Sequence, residues 1–177
     1  MIRAVILLLL VLVQISCTSI PEGIKPVDNF EVSRYLGSWY EIARLDHSFE
    51  RGLSNVTAEY SLRDDGGIRV VNRGFSRAQG DWRQAEGKAY FVDSKQQAHL
   101  KVSFFGPFYS SYVVFELDEA GYEYAFVSGY NHEYLWLLAR SPQIADDVME
   151  TFIQTAKEKG YNLDDLIIVS HDNAHTP

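Results

Sequence analysis

From Trp39 to Arg140 the chain is a nearly unbroken series of short runs in which apolar and polar residues alternate, each run ended by turn chemistry. A two-residue period puts alternate side chains on opposite faces of an extended strand, so this stretch predicts strands and excludes a helical bundle. "NVTAEYSL" is the clearest case, with Val56, Ala58, Tyr60 and Leu62 on one face and Thr57, Glu59 and Ser61 on the other. "DDGG" at 64–67, "DSKQQ" after the fourth run, "GP" at 106–107, "DEAG" at 118–121 and "GYNHE" at 129–133 supply reversals. The result is eight strands in simple succession. Alternation alone fits a barrel or a sandwich, but a meander of eight antiparallel strands removes both its edges by pairing the first strand with the eighth. The expectation is an all-β fold, an eight-stranded antiparallel up-and-down barrel.

The pattern then changes. "SPQIADDVMETFIQTAKEKG" offers Ser141 as N-cap, Pro142 at the first helical position, early Asp146 and Asp147, late Lys157 and Lys159, and Gly160 as a stop. Ile144, Val148, Phe152 and Ala156 form one stripe, which predicts a C-terminal helix packed on the outside of the barrel. "LDDLIIVS" adds a short ninth strand.

Direction along the meander locates residues within the barrel. If the first strand runs up from one end, the eighth finishes at that same end, so Trp39 and Arg140 meet there. An indole and a guanidinium in contact stack by cation–π attraction and close the barrel floor, with Gly37 allowing a sharp turn beneath. Strand parity aims Glu41, Ala43, Val56, Ala58, Tyr60, Val70, Asn72, Ala85, Gly87, Ala89, Val102, Phe104 and Trp136 inward. Many are small, which leaves space. Along "YVVFEL" both faces are apolar and parity assigns no inward side. Asn72 is a polar break in an apolar face, fit either to orient a ligand by hydrogen bonding or to be satisfied by its neighbours or water.

The N-terminus limits where such a chain resides. "MIRAVILLLLVLVQISC" carries Arg3, then an apolar run from Ala4 to Val13, too short for the roughly 20 residues that span a bilayer and suited to a signal peptide. Cys17 is the only cysteine and directly follows, so no internal disulfide is available. A small residue before a cysteine at this place resembles a bacterial lipobox, in which the cysteine becomes the acylated first residue of the mature chain. Residues 1–16 are then a signal peptide, and 17–28 a lipidated cysteine and tether. The folded domain occupies 29–170, and 171–177 form a flexible tail. Several acyl chains anchor a protein stably. With 24 acidic against 16 basic residues and no Lys/Arg cluster, the body itself is repelled by anionic lipid and has no grip on nucleic acid.

Catalytic chemistry finds little foothold. His47, His99, His132, His171 and His175 lack metal-ligand spacing, and the sequence contains no G-x-S-x-G, P-loop or G-x-G-x-x-G motif, so no metal or cofactor is expected. Glu41 alone keeps a claim, as an inward carboxylate that could act as acid or base; its plainer role is a pair with an inward Arg, Tyr or Lys, or with water. Asn55-Val56-Thr57 matches a glycosylation acceptor, which on a strand is read as coincidence.

Gly37-x-Trp39 on the first strand, the Tyr/Asn-rich turn before the eighth, and Arg140 before the helix resemble the motifs of the lipocalin (calycin-type) family. The likeness covers about residues 29–170 and extends to its bacterial and apolipoprotein D-like branches through "YLGSWYEIAR", "FERG", "YSLRDDGGIRVVN" and "LKVSFFGPFY". It implies an outer-membrane lipoprotein whose cup binds, stores or transports fatty acids or lysophospholipids for envelope upkeep, and it implies that Tyr60, Asn72 and Trp136 touch ligand. The other reading is a lipid-modifying enzyme or stress protein working through Glu41. "FFGPFY" falls at the open end beside "DHSFERGLS", where Phe105, Phe108 and Tyr109 would serve ligand gating, membrane contact or a homodimer interface, or would pack inward on their own rim.

Overall fold

A computed structural model describes residues 18–172. A short helix α1 (Val32–Tyr35) leads into eight strands: β1 (Gly37–Leu45), β2 (Leu53–Leu62), β3 (Ile68–Ser76), β4 (Asp81–Phe91), β5 (His99–Ser103), β6 (Ser110–Leu117), β7 (Tyr124–Ser128) and β8 (Leu135–Ala139). Helix α2 (Asp146–Glu158) and strand β9 (Leu166–Ile168) follow. Each strand pairs antiparallel with the next, and β1 pairs with both β2 and β8, so the barrel is closed.

The closure has a seam. β1 and β2 stay paired only from Gly37↔Tyr60 to Tyr40↔Thr57 before diverging toward the open end. The C-terminal segment fills the gap: β9 pairs with Ala43–Leu45, Val169 N–H donates to the Ile42 carbonyl, and Asn55 N–H donates to the Ser170 carbonyl. His171 Nε2 lies 2.8 Å from the Glu41 carbonyl, and Asp172 accepts from Arg77 at 2.9 Å. His171 and Asp172 are thus fastened to the barrel, whereas the sequence suggested a free tail from 171; the remainder of that tail lies outside the described residues.

Two apolar clusters divide the molecule. Trp39, Tyr60, Val70, Leu100, Val114 and Leu138 belong to the inner one. The outer one joins Ile42, Ala43, Phe126 and Leu137 to Phe152 and Ala156 of α2, with Ile144 and Val148 at its margin. Full burial of Phe152 alone contributes about 1.5–3 kcal/mol. α2 begins at Asp146, later than the Ser141 cap suggested, because the Ser141 hydroxyl accepts instead from Gln143 N–H in a local turn. It ends as expected at Gly160, where Tyr161 N–H returns to the Ala156 carbonyl and Gly160 N–H to that of Lys157.

Residues 18–28 are not a loose tether. Pro21 and Ile24 are buried, Ile20 and Ile24 pack on the outer cluster, and Val27 is hydrogen-bonded to Val114 and Ala98. These anchoring side chains are too widely spaced to create a hydrophobic period, which is why the segment reads as a linker. Cys17 and residues 1–16, expected above to be a signal peptide, lie outside the described residues.

Candidate functional site

The barrel encloses a cavity of about 660 Å³, within the range of small-molecule sites. At its closed end Trp39 is fully buried, and its indole N–H donates to the Tyr35 carbonyl at 2.8 Å. The Arg140 guanidinium lies 3.9 Å from the Trp39 ring centroid. It also donates to the carbonyls of Ser38 (2.9 Å), Arg34 (2.6 Å) and Tyr122 (3.3 Å). Gly37 adopts a φ of +90°, and a Cβ there would lie 3.6 Å from Arg140. Backbone strain, more than lack of space, therefore favours glycine at this turn.

Glu41, Val56, Ala58, Tyr60, Val70, Asn72, Ala85, Ala89, Val102, Phe104 and Trp136 all line the cavity. Ala43 and Gly87 do not. Ala43 points outward into the cluster beneath α2, because a bulge between Glu41 and Ala43 inserts Ile42 and reverses parity. Gly87 is covered by the Phe104 ring, whose Cδ1 would stand 2.8 Å from a Cβ at this position. Glycine here makes room for the aromatic side chain that lines the wall.

The same bulge turns Arg44 inward, which alternation could not reveal. Arg44 is buried with Nη1 2.6 Å from Glu41 Oε1, and its Nη2 donates to the Glu50 carbonyl at 2.9 Å. Glu50 Oε2 accepts from the Trp136 indole at 3.2 Å and lies 2.9 Å from His47 Nε2. Burial, reinforced by repulsion from Glu50, holds the Glu41 carboxyl well above the usual carboxylate range despite Arg44. Burial also opposes ionisation of Glu50, but His47, Trp136 and Arg44 outweigh it and hold that carboxyl low. Two carboxylates of opposite tendency thus share one cation at the cavity wall.

A second polar group sits deeper. Tyr112 OH lies 2.7 Å from Tyr35 OH and 2.9 Å from Tyr60 OH, and burial raises all three phenols. Tyr112 and Tyr35 escaped the sequence reading. Strand β6 is apolar on both faces, and only the register His99↔Val113 turns Tyr112 and Val114 inward.

Asn72 faces Ala58 on one side and Ala85 on the other. Neither neighbour can bond it, and its buried Oδ1 has no partner among the described residues. At the mouth, Phe49 stacks on His47 with ring centroids 3.9 Å apart, while Phe105 and Phe108 are largely exposed. Phe105 and Phe108 therefore do not pack inward, whereas the half-buried Tyr109 packs against Tyr90 with ring centroids 6.4 Å apart. Among the described residues no cluster of His, Cys, Asp and Glu suits a metal ion.

Residues 30–171 match the family model described as a lipocalin-like domain. The chain is 58% identical over 167 residues to outer membrane lipoprotein Blc of Vibrio cholerae, covering 94% of this chain and 98% of that one. It is 52% identical to outer membrane lipoprotein Blc of Escherichia coli K12 over 84% of both chains. Bovine apolipoprotein D is 34% identical over 69% of this chain and 67% of its own. Among solved structures, insecticyanin of the tobacco hornworm Manduca sexta superposes with a TM-score of 0.70 at 21% identity over 88% of each chain.

Proposed function

The chain belongs to the lipocalin family, and on that premise we propose that it binds single-chain lipids, fatty acids or lysophospholipids, and stores or transports them for envelope upkeep. Its location is the outer membrane, in keeping with the relatives 58% and 52% identical. Its anchor in this reading is an acylated Cys17 exposed by removal of residues 1–16.

One observation carries the ligand class: a cavity whose wall is apolar along Val70, Ala89, Leu100 and Val102 but interrupted by the unpartnered Oδ1 of Asn72. An acyl chain satisfies the wall without hydrogen bonds. A hydroxyl or ammonium group on a lysolipid, or the protonated carboxyl of a fatty acid, donates to Asn72 Oδ1, which a plain hydrocarbon leaves unpaired at a cost of about 1–3 kcal/mol. Tyr60 and Trp136 add contact area beside it.

Binding is favoured over turnover because Glu41, the one carboxylate with an acid–base claim, lines the cavity with its Oε1 held by Arg44 at 2.6 Å. Native mass spectrometry of protein purified from membranes tests the proposal. A retained or added lysophosphatidylethanolamine or palmitate should appear as a bound adduct and be recovered intact. Failure to take up either sinks the proposal, and conversion of the lysolipid favours the enzyme reading.

A further inference from the structure

The start of the described chain is tied to the rim of the cavity. The Ser19 hydroxyl donates to the Tyr130 carbonyl at 3.1 Å. Tyr130 lies in the turn joining β7 to β8, whose residues Gly129, Tyr130 and Tyr134 line the cavity at its open end. From Ser19 the chain runs along the outside of the barrel toward the closed end. It is held on the way by Ile20 and Ile24, and then by the backbone bonds of Val27. Cys17 is joined to Thr18, and consecutive Cα atoms are about 3.8 Å apart. Acyl chains on Cys17 would therefore leave the protein within about two residues of the mouth, with no slack to carry them elsewhere.

The rim beside that point exposes aromatic rings. Phe49, Phe105 and Phe108 are 60%, 79% and 70% exposed, and the loop 104–109 that carries two of them contains no charged residue. Charge is distributed in the same sense. The closed end carries Glu31, Asp64, Asp65, Asp93, Asp118, Glu119 and Glu123 against Arg34, Arg63, Lys95 and Arg140, an acidic excess. The open end presents Arg51, Arg73, Arg77 and Arg83 against Asp46, Asp81, Glu133 and Asp172, so that its surface charges nearly cancel. An anionic bilayer thus repels the closed end more than the mouth, and exposed aromatic side chains partition into its interface.

We propose that the mouth rim is a membrane-docking surface: Phe49, Phe105 and Phe108 enter the interface of the bilayer that anchors Cys17, so the cavity opens directly onto that bilayer. The inference rests on the anchored, lipid-binding reading above and adds an orientation to it. A lipid would pass between bilayer and cup without crossing water, and the acidic closed end would point away from the membrane.

Site-specific fluorescence tests the orientation. In the acylated protein the Cys17 sulfur is consumed by its thioether, so a new cysteine in Phe108→Cys or Glu119→Cys is the single position available for an environment-sensitive dye. Both substitutions are at exposed sites. The labelled, acylated proteins are reconstituted into vesicles of phosphatidylethanolamine and phosphatidylglycerol containing a nitroxide-headgroup lipid. Quenching should be several-fold stronger at position 108 than at 119, with a blue shift at 108 only. Equal quenching, or stronger quenching at 119, overturns the docking. Flotation and the mass of the N-terminal peptide report the anchor separately: an acylated, floating protein with equal quenching refutes the orientation alone, whereas a peptide without acyl mass refutes the anchor and the docking with it.

Discussion

Arg140 caps Trp39: its guanidinium lies 3.9 Å from the indole centroid while three backbone carbonyls, those of Ser38, Arg34 and Tyr122, accept its N–H groups. One side chain thereby joins β1, α1 and the β6–β7 turn at the closed floor. Arg140→Ala should lower unfolding free energy by about 2 kcal/mol, from the lost cation–π contact and the released carbonyls. Arg140→Lys should restore only part of it, since a point charge cannot serve three carbonyls in a plane. Urea unfolding of the three proteins measures the difference.

Among the described residues, Arg44 is the arginine that bonds both Glu41, through its carboxylate, and Glu50, through its backbone carbonyl. Arg44→Met leaves the buried Glu41 carboxylate without its paired cation and should cost about 3–5 kcal/mol near neutral pH. The loss should shrink on acidification. A carboxyl whose pKa is raised in the folded state, as burial raises that of Glu41, contributes most below its unfolded value. It loses that contribution as pH climbs through the window up to its folded value. Denaturant midpoints at about pH 5 and about pH 7 should therefore converge on wild type at the lower pH. A deficit independent of pH would contradict this assignment.

Asn72 is predicted to trade stability for function. Asn72→Leu removes a buried, unpartnered Oδ1 and should leave stability unchanged or raise it by up to about 1 kcal/mol. The same change should weaken lysophosphatidylethanolamine binding by about tenfold, or about 1.4 kcal/mol. Titration calorimetry and thermal unfolding on one preparation separate the two effects.

The tyrosines make the protein alkali-sensitive in a definite direction. Tyr161 is pushed up to about 12 by burial, partly relieved by its bond to Ser128, and Tyr35, Tyr60 and Tyr112 are also raised by burial. The folded state keeps these protons while the unfolded chain releases them near pH 10, so stability should fall as pH rises above about 10. Absorbance at the tyrosinate band should rise partially near that pH and jump on unfolding.

Gly87→Ala should disturb the cavity as well as the fold. The new Cβ would stand 2.8 Å from both the Phe104 ring and the Ser103 carbonyl. Overpacking of this kind costs about 1–3 kcal/mol. Phe104 should yield by turning further into the cavity, which would lower uptake of a fluorescent fatty acid in proportion.

The barrel was legible because alternation survives wherever one strand face meets the cavity and the other meets solvent or α2. It failed where pairing itself is irregular. The bulge at Ile42 turned Ala43 outward and Arg44 inward, and a second between Val114 and Glu116 sits in the strand whose faces could not be assigned. Thus Asn72, Tyr60 and Trp136 could be placed from spacing, while the charged cluster depends on a bulge and a loop. Arg44 within "EIAR", three residues after an inward glutamate, was the only local hint of an ion pair. The packed course of 18–28 left no periodic trace, since it follows the barrel surface through isolated contacts.

The seam between β1 and β2 also dictates an order of assembly. The first strand must await the eighth, about a hundred residues away, and then the last strand to be synthesised, before its edge is covered. A chain lacking only the segment from Leu166 onward would retain all eight barrel strands and present an open edge beside the ligand cup. Such an edge is a template for pairing with another chain, so C-terminal clipping should show itself as self-association before any loss of secondary structure.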